Sequence, residues 1–341
     1  MKDTNRSRRG ARTGRARPPS TAATAVSAAA VALALSLAAA ACTSGGSSSP
    51  DDGRSPSRSP SPTGTATGAG LGPVLAVKID NAPDARPQTG LDAADVVYAE
   101  QVEGGLSRLM AVYATRLPKA VGPVRSARES DLELLRQFER PVLAFSGAQG
   151  KLLPLIDRAP LDAVTPEEKA DAYFRGGGRA APHNLYLRPS RLLPVAPGRE
   201  ALTTGFRFGA APAGGTPETS RTVRYPAASF TFTWSADRSR WLVSTDGRPT
   251  VAADGQRSAP ATVVVQYVRV RASVFHDFLG NNTPYTQTVG SGKAEVLRDG
   301  RAYDVRWKRA KAEDGTEFTA ADGSPVAFAA GQVWVVFAKA P

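Results

Sequence analysis

From residue 71 the apolar positions fall into short runs separated by polar breaks. Val74-Leu-Ala-Val-Lys-Ile79 reads as a strand buried on both faces, and Val96-Val-Tyr-Ala-Glu-Gln-Val-Glu103 and Leu106-Ser-Arg-Leu-Met-Ala-Val-Tyr113 read as two strands joined by a tight turn at Gly104-Gly105. Leu132, Leu134, Leu135 and Phe138 cluster at helical spacing behind Ser126, which predicts a helix capped by Ser126 and running to Arg136. A strand over 141–145, a helix over 151–158 and a further helix over 166–173, with Pro166 in its first turn, continue the alternation. After residue 220 helical periodicity disappears. Short β-rich runs such as Phe230-Thr-Phe-Thr-Trp234, 261–270 and Val333-Trp-Val-Val-Phe337 alternate with Asp-Gly turns at Asp246-Gly247, Asp299-Gly300 and Asp322-Gly323. The expected fold class is therefore α+β: a mixed α/β domain over 71–207, a linker or long loop over 208–224, and a smaller antiparallel β-rich domain over 225–341.

The first 70 residues follow other rules. Residues 1–20 are polar and basic, and 21–41 form an uncharged Ala/Val/Leu run ending in Ala-Ala-Ala-Ala before Cys42. That arrangement reads as a signal peptide over 1–41 with a lipobox-like end, which makes Cys42 the expected lipid attachment site. Residues 42–70 are Ser, Thr, Gly and Pro with few charges, the composition of a disordered tether. Address and tether together place the folded part on the extracytoplasmic face of a bacterial membrane, with the membrane as partner through the lipid.

Charge and cysteine content then narrow the chemistry. The chain has 43 Lys and Arg against 31 Asp and Glu, a net +12, but seven of the basic residues precede residue 42 and the remainder carries +6 without a long basic run. Nucleic-acid binding loses its support. With one cysteine and two histidines, His183 and His276, neither a disulfide, a multi-cysteine zinc site nor a redox pair is available, and no metal or cofactor is expected.

Polar side chains concentrate in four clusters of the first half. Lys78, Asp80 and Asn81, followed by Arg86 and Gln88, stand where a strand enters a loop. Glu100, Glu103 and Arg108 flank the glycine turn, and the two acids are candidates for general acid and base. Arg125 and Arg128 lie where a Gly-Pro loop runs into a helix, a setting suited to carboxylate or phosphate. Arg175 precedes His183-Asn184, in which the asparagine can hold the imidazole in one tautomer for a third catalytic role. No nucleophile motif accompanies them. The four tryptophans, Trp234, Trp241, Trp307 and Trp334, all fall in the β-rich half, as core or as a sugar-stacking face.

Taken in order, Val77-Lys-Ile-Asp-Asn81, Ala85-Arg-Pro-Gln88, Glu103-Gly-Gly105 with Arg108, Gly122-Pro-Val-Arg-Ser126 with Arg128, and Ala181-Pro-His-Asn-Leu-Tyr186 resemble the YerB family of bacterial lipoproteins. Val289-Gly-Ser-Gly292, Trp307-Lys308 and Gly331-Gln-Val-Trp334 are similar to that family's β-rich C-terminal domain. The family is built on a domain of unknown function, so the resemblance implies location and a two-domain organisation without a reaction. The expected function is binding of an anionic or amide-bearing cell-envelope ligand, such as a peptidoglycan fragment, through Lys78, Asp80, Asn81, Arg86, Gln88, Arg108, Arg125, Arg128, Arg175 and Asn184. A metal-independent wall hydrolase or lytic transglycosylase using Glu100, Glu103 and His183 is the alternative, and an envelope adaptor with unspecified protein partners is the third reading.

Overall fold

The structure is a computed structural model that describes residues 72–176, 178–277 and 279–341. The signal peptide, Cys42 and the tether lie outside the described residues. The first half contributes β1 (Leu75–Asp80), β2 (Val96–Gln101), β3 (Ser107–Tyr113), α1 (Glu129–Leu135), β4 (Val142–Ala144), α2 (Leu153–Arg158) and β5 (Asp162–Val164). Two small hairpin strands follow, β6 (Tyr173–Arg175) and β7 (Leu185–Leu187). The second half supplies β8 (Thr216–Pro217), β9 (Ser220–Tyr225), β10 (Ala228–Ser235), β11 (Arg240–Thr245), β12 (Arg248–Pro249), β13 (Thr262–Val268), β14 (Val270–His276), β15 (Asn282–Thr286), β16 (Gly290–Arg298), β17 (Arg301–Arg309), β18 (Glu317–Thr319) and β19 (Val333–Lys339).

The fold is β-rich, and one mixed sheet of 11 strands organises it in the order β18-β17-β16-β13-β19-β2-β3-β1-β4-β5, with β8 also pairing β17. The described residues group as one compact unit. The seam between the sequence halves lies inside this sheet, where β19 pairs in parallel with β13 on one side and β2 on the other. Pairing in the second half is thus not wholly antiparallel as expected. The helix expected over 166–173 is also absent. That segment makes isolated turns and one 3-10 turn, Ala170–Ala172, since its first turn holds only exposed or half-buried residues and it has no apolar stripe to bury. The two other helices form, shorter than expected at Glu129–Leu135 and Leu153–Arg158.

β1 is buried at all six positions because each face of the large sheet is covered. On one face Leu75, Val77 and Ile79 join Val97, Ala99, Val263, Val265, Trp334 and Val336 beneath the four-stranded sheet β12-β11-β10-β9, which contributes Phe230, Phe232, Trp241 and Val243. Phe230 and Phe232 meet the Trp334 ring edge-on at 6.1 and 6.0 Å. The Tyr225 hydroxyl, at the end of β9, donates to the carbonyls of Ala99 on β2 and Phe337 on β19 at 3.1 and 2.9 Å, bridging the seam from above. The opposite face carries Ala76, Val96, Tyr98, Met110 and Val112 against Leu134 and Leu135 of α1 and Ile156 of α2. Trp241, Trp307 and Trp334 are buried, so three of the four tryptophans act as core; each such side chain contributes on the order of 2 kcal/mol or more.

The segment 208–217 is fastened down. Arg298 donates to the carbonyls of Gly209 and Ala210 at 3.1 and 3.2 Å, Arg301 donates to those of Gly214 and Gly215, and Thr216 pairs with Ala302.

Candidate functional site

Strand alternation puts the polar residues of the first half on a common face. Lys78 and Asp80 of β1, Glu100 of β2 and Arg108 of β3 share the side of Ala76, Tyr98 and Met110, which α1 covers. In register, Arg108 stands between Glu100 and Asp80, so three charged side chains form one row across β2-β3-β1 at the end of the sheet.

Lys78 is completely buried one position inward. Its ammonium donates to Asp131 Oδ1 at 2.6 Å and to Glu100 Oε1. Asp131 sits in the first turn of α1, and its other oxygen accepts the Arg128 backbone N–H at 2.7 Å, so one carboxylate both closes the helix start and neutralises the lysine. Burial pushes the Glu100 carboxyl above its ordinary range, with the Lys78 charge opposing and Asp131 adding to the rise.

The Asp80 cluster faces the loops. Its Oδ2 lies 2.8 Å from His183 Nδ1 and 3.1 Å from Arg125 Nε, and Oδ1 accepts the Ala82 N–H. Asn81 donates to Ser107 Oγ at 2.8 Å and accepts from Gln88 at 2.7 Å and Arg86 at 3.3 Å; Arg86 also reaches the Asn81 carbonyl and pairs with Asp246 at 2.7 Å. Arg86, Gln88 and Asn81 thus brace the loop onto the β11–β12 turn.

Beyond this row a cleft of about 680 Å³ opens where the β2–β3 turn, the start of α1 and the β14–β15 hairpin meet. Glu103, Arg108, Arg125 and Arg128 line it, with an apolar wall that includes Leu106, Leu152 and Phe275. Gly104 and Gly105 turn with positive φ of 66° and 73°, and a Cβ at Gly105 would stand 2.6 Å from Pro226 Cβ, so the turn requires glycine there. Glu103 accepts Arg128 Nε at 2.6 Å and Nη2 at 2.8 Å in a two-pronged pair, and Thr283 Oγ1 at 2.6 Å. Burial alone would raise its pKa, but Arg128 and Thr283 outweigh that and hold it at about 2. Arg108 is different: its hydrogen bond among the described residues goes to the Ser126 carbonyl, at 3.2 Å. Burial, then the neighbouring Arg128 and Arg125 charges, push its pKa down to about 9.

The expected site residues therefore divide. Glu103, Arg108, Arg125 and Arg128 meet at the cleft; Lys78 and Glu100 lie beneath it in the buried triad; Asp80 and His183 join it only through Arg125. Asn81, Arg86 and Gln88 form the loop brace. Arg175 and Asn184 bond to each other at 2.6 Å at the open end of the β6–β7 hairpin, away from the cleft lining. The partner of His183 is Asp80, while Asn184 donates to the Arg179 carbonyl. Sequence reasoning missed Asp131, Thr283 and Asp246. An acid in a helix's first turn is a weak signal for Asp131, whereas Thr283 and Asp246 arrive from the other half of the chain with no local signal at all.

Two family models match the chain: the N-terminal domain of a protein of unknown function (DUF3048) over residues 62–202, and the corresponding C-terminal domain over 221–335. "Putative lipoprotein YerB" of Bacillus subtilis (strain 168) is 33% identical over 112 residues, 33% of this chain and 34% of that protein, so the match spans about a third of the relative's length. The crystal structure of YerB protein from Bacillus subtilis superposes with a TM-score of 0.65 at 21% identity, covering 78% of this chain and 90% of that one, and so shares the fold. Both domain models in order, together with the shared fold, make this chain a member of the YerB-like DUF3048 family.

Proposed function

We propose that the folded unit is an extracytoplasmic, lipid-anchored binding module that takes a carboxylate-bearing cell-envelope ligand in the Arg108 cleft. The observation that carries the reading is Arg108 itself. Its half-buried guanidinium stands beside two other arginines at the cleft, and among the described residues no carboxylate bonds it. An incoming carboxylate would accept two parallel N–H bonds and relieve the crowding of positive charge. Peptidoglycan stem peptides carry such carboxylates. The wall-hydrolase alternative draws less support, because Glu103 is held ionised by Arg128 and Glu100 does not line the cleft.

For the cleft, Arg108→Lys keeps the charge but loses the fork, so retention on purified wall fragments should fall about tenfold, while Glu103→Gln retains most of it. Cleavage products from the parent protein that vanish with Glu103→Gln would establish the hydrolase instead, and retention unchanged by either substitution would leave the adaptor. Anchoring rests on Cys42 after the apolar run and is supported by the relative's name. Cys42→Ala should release the protein to the medium or leave an unprocessed precursor; unchanged processing and membrane retention would refute it.

A further inference from the structure

Lys78, Glu100 and Asp131 form a cluster that neither the cleft nor the loop brace uses. Lys78 and Asp131 are fully buried and Glu100 nearly so, on the sheet face that carries Ala76, Tyr98 and Met110 beneath α1. One ammonium between two carboxylates leaves a surplus negative charge unless one acid holds a proton. Burial raises the Glu100 carboxyl toward that state, with Lys78 opposing and Asp131 adding to the rise. Keeping the remaining ion pair out of water is costly. That pair is also an amine facing a carboxyl group. The Lys78 nitrogen lies 2.6 Å from Asp131 Oδ1 and also donates to Glu100, while Asp131 Oδ2 accepts the Arg128 backbone N–H at 2.7 Å. A nucleophilic nitrogen, an acyl carbon, a backbone donor on one acyl oxygen and a protonable acid beside the nitrogen are the parts that acyl transfer to an amine requires.

We propose that Lys78 and Asp131 condense to an intramolecular amide that joins β1 to α1, with Glu100 as the proton carrier. A Lys78 proton first passes along the hydrogen bond to Oδ1, leaving a neutral amine and a neutral carboxyl. The Nζ lone pair attacks Cγ and forms the C–N bond, and negative charge gathers on Oδ2, where the Arg128 N–H stabilises it. Protonated Glu100, bonded to the same nitrogen, gives its proton to Oδ1 and takes one from Nζ. The C–Oδ1 bond then breaks, and Oδ1 leaves as water. One amide and one water replace one ammonium and one carboxylate, Glu100 ends as it began, and nothing is oxidised or reduced. Burial favours the product in two ways. Well-oriented neighbours react as though present at about 10⁵–10⁸ M. The amide also removes both buried charges, and its N–H and C=O inherit Glu100 and the Arg128 N–H as partners. The linked residues stand 53 positions apart, so the bond closes a long loop that a chain with one cysteine cannot close by an internal disulfide.

The test digests the full chain, extracted from cells and denatured, with trypsin and reads the peptides by mass spectrometry. The amide removes Lys78 as a cleavage site. Peptide Glu129–Arg136 should therefore be recovered joined to the peptide that carries Lys78 uncut, one water lighter than the two together, with fragment ions that place the link at Lys78 and Asp131. The parent digest decides the bond whether or not any variant folds. Lys78→Arg should abolish the joined peptide, because a guanidinium keeps its proton. Glu100→Gln, which cannot carry the proton, should lower its yield at equal time at least about a hundredfold, and Glu100→Asp should recover part of that loss. Free Glu129–Arg136 together with cleavage after Lys78 in the bulk of the parent would leave an ordinary ion pair and overturn the proposal. A water lost within one linear peptide, as in a cyclic imide at an Asp-Gly turn, would overturn it as well. An undiminished joined peptide in Glu100→Gln would overturn the part given to Glu100.

Discussion

Glu103 shows how a single side chain is committed by its surroundings. Its carboxylate has a folded pKa of about 2 against an ordinary 4.5, so the folded state binds its proton less readily than the unfolded chain does. The stabilisation is present above about pH 4.5 and is lost as pH falls toward 2. At 1.36 kcal/mol per unit its ceiling is roughly 3 kcal/mol. Glu103→Gln should therefore cost stability in urea unfolding at pH 6.5 and cost progressively less as pH is lowered through that window. A gap of the same size at every pH would assign the loss to packing rather than to charge. The same logic separates Glu103 from Glu100: both were legible as acids beside a glycine turn, but which faces the cleft depended on whether Glu103 sits on the strand or, as it does, in the turn beyond it.

The β14–β15 hairpin holds to α1 through acids on the helix rather than through an apolar stripe. Glu133 Oε1 accepts the N–H groups of Thr288 and Val289 at 2.6 and 3.0 Å, and Oε2 accepts the Tyr285 hydroxyl at 2.7 Å. Ser130 Oγ accepts the Thr286 N–H at 2.9 Å, and Ser273 donates to Glu129 at 2.5 Å. Removing one acceptor from several donors leaves buried N–H groups without partners, each a loss of about 1–3 kcal/mol. Glu133→Ala should speed hydrogen exchange at Thr288 and Val289 while amides of β1 and β3 keep their protection; uniform acceleration would mean that the hairpin opens only with the whole fold. Long strands with alternating or continuous apolar positions, such as β1, β10 and β13, were readable from the chain because their pattern is local. The 166–173 segment misled because a proline and two glutamates imitate a helix start while nothing behind them needs burying. The hairpin's anchorage was unreadable, since its partners are more than 140 residues away.

At the scale of the molecule, the sequence boundary near residue 210 falls between the two family matches, yet strand pairing runs straight across it through β13, β19 and β2. Separating the halves would strip β19 of one neighbour and uncover Trp334. Thermal unfolding of residues 65–341 should accordingly appear as one calorimetric transition whose van't Hoff and calorimetric enthalpies agree. Two resolved transitions, or early protease nicking at 208–217 that leaves two stable pieces, would show that the halves hold independently. The position of β19 also governs the order in which the protein can be completed. Polypeptides emerge amino end first, so β2 keeps a bare edge, and the slot between β13 and β2 stays empty, until residues 333–339 have left the ribosome. A chain whose central strand is made this late cannot close its sheet co-translationally: whatever the first half forms as it emerges must wait, with an open edge, for the segment that joins it to the second.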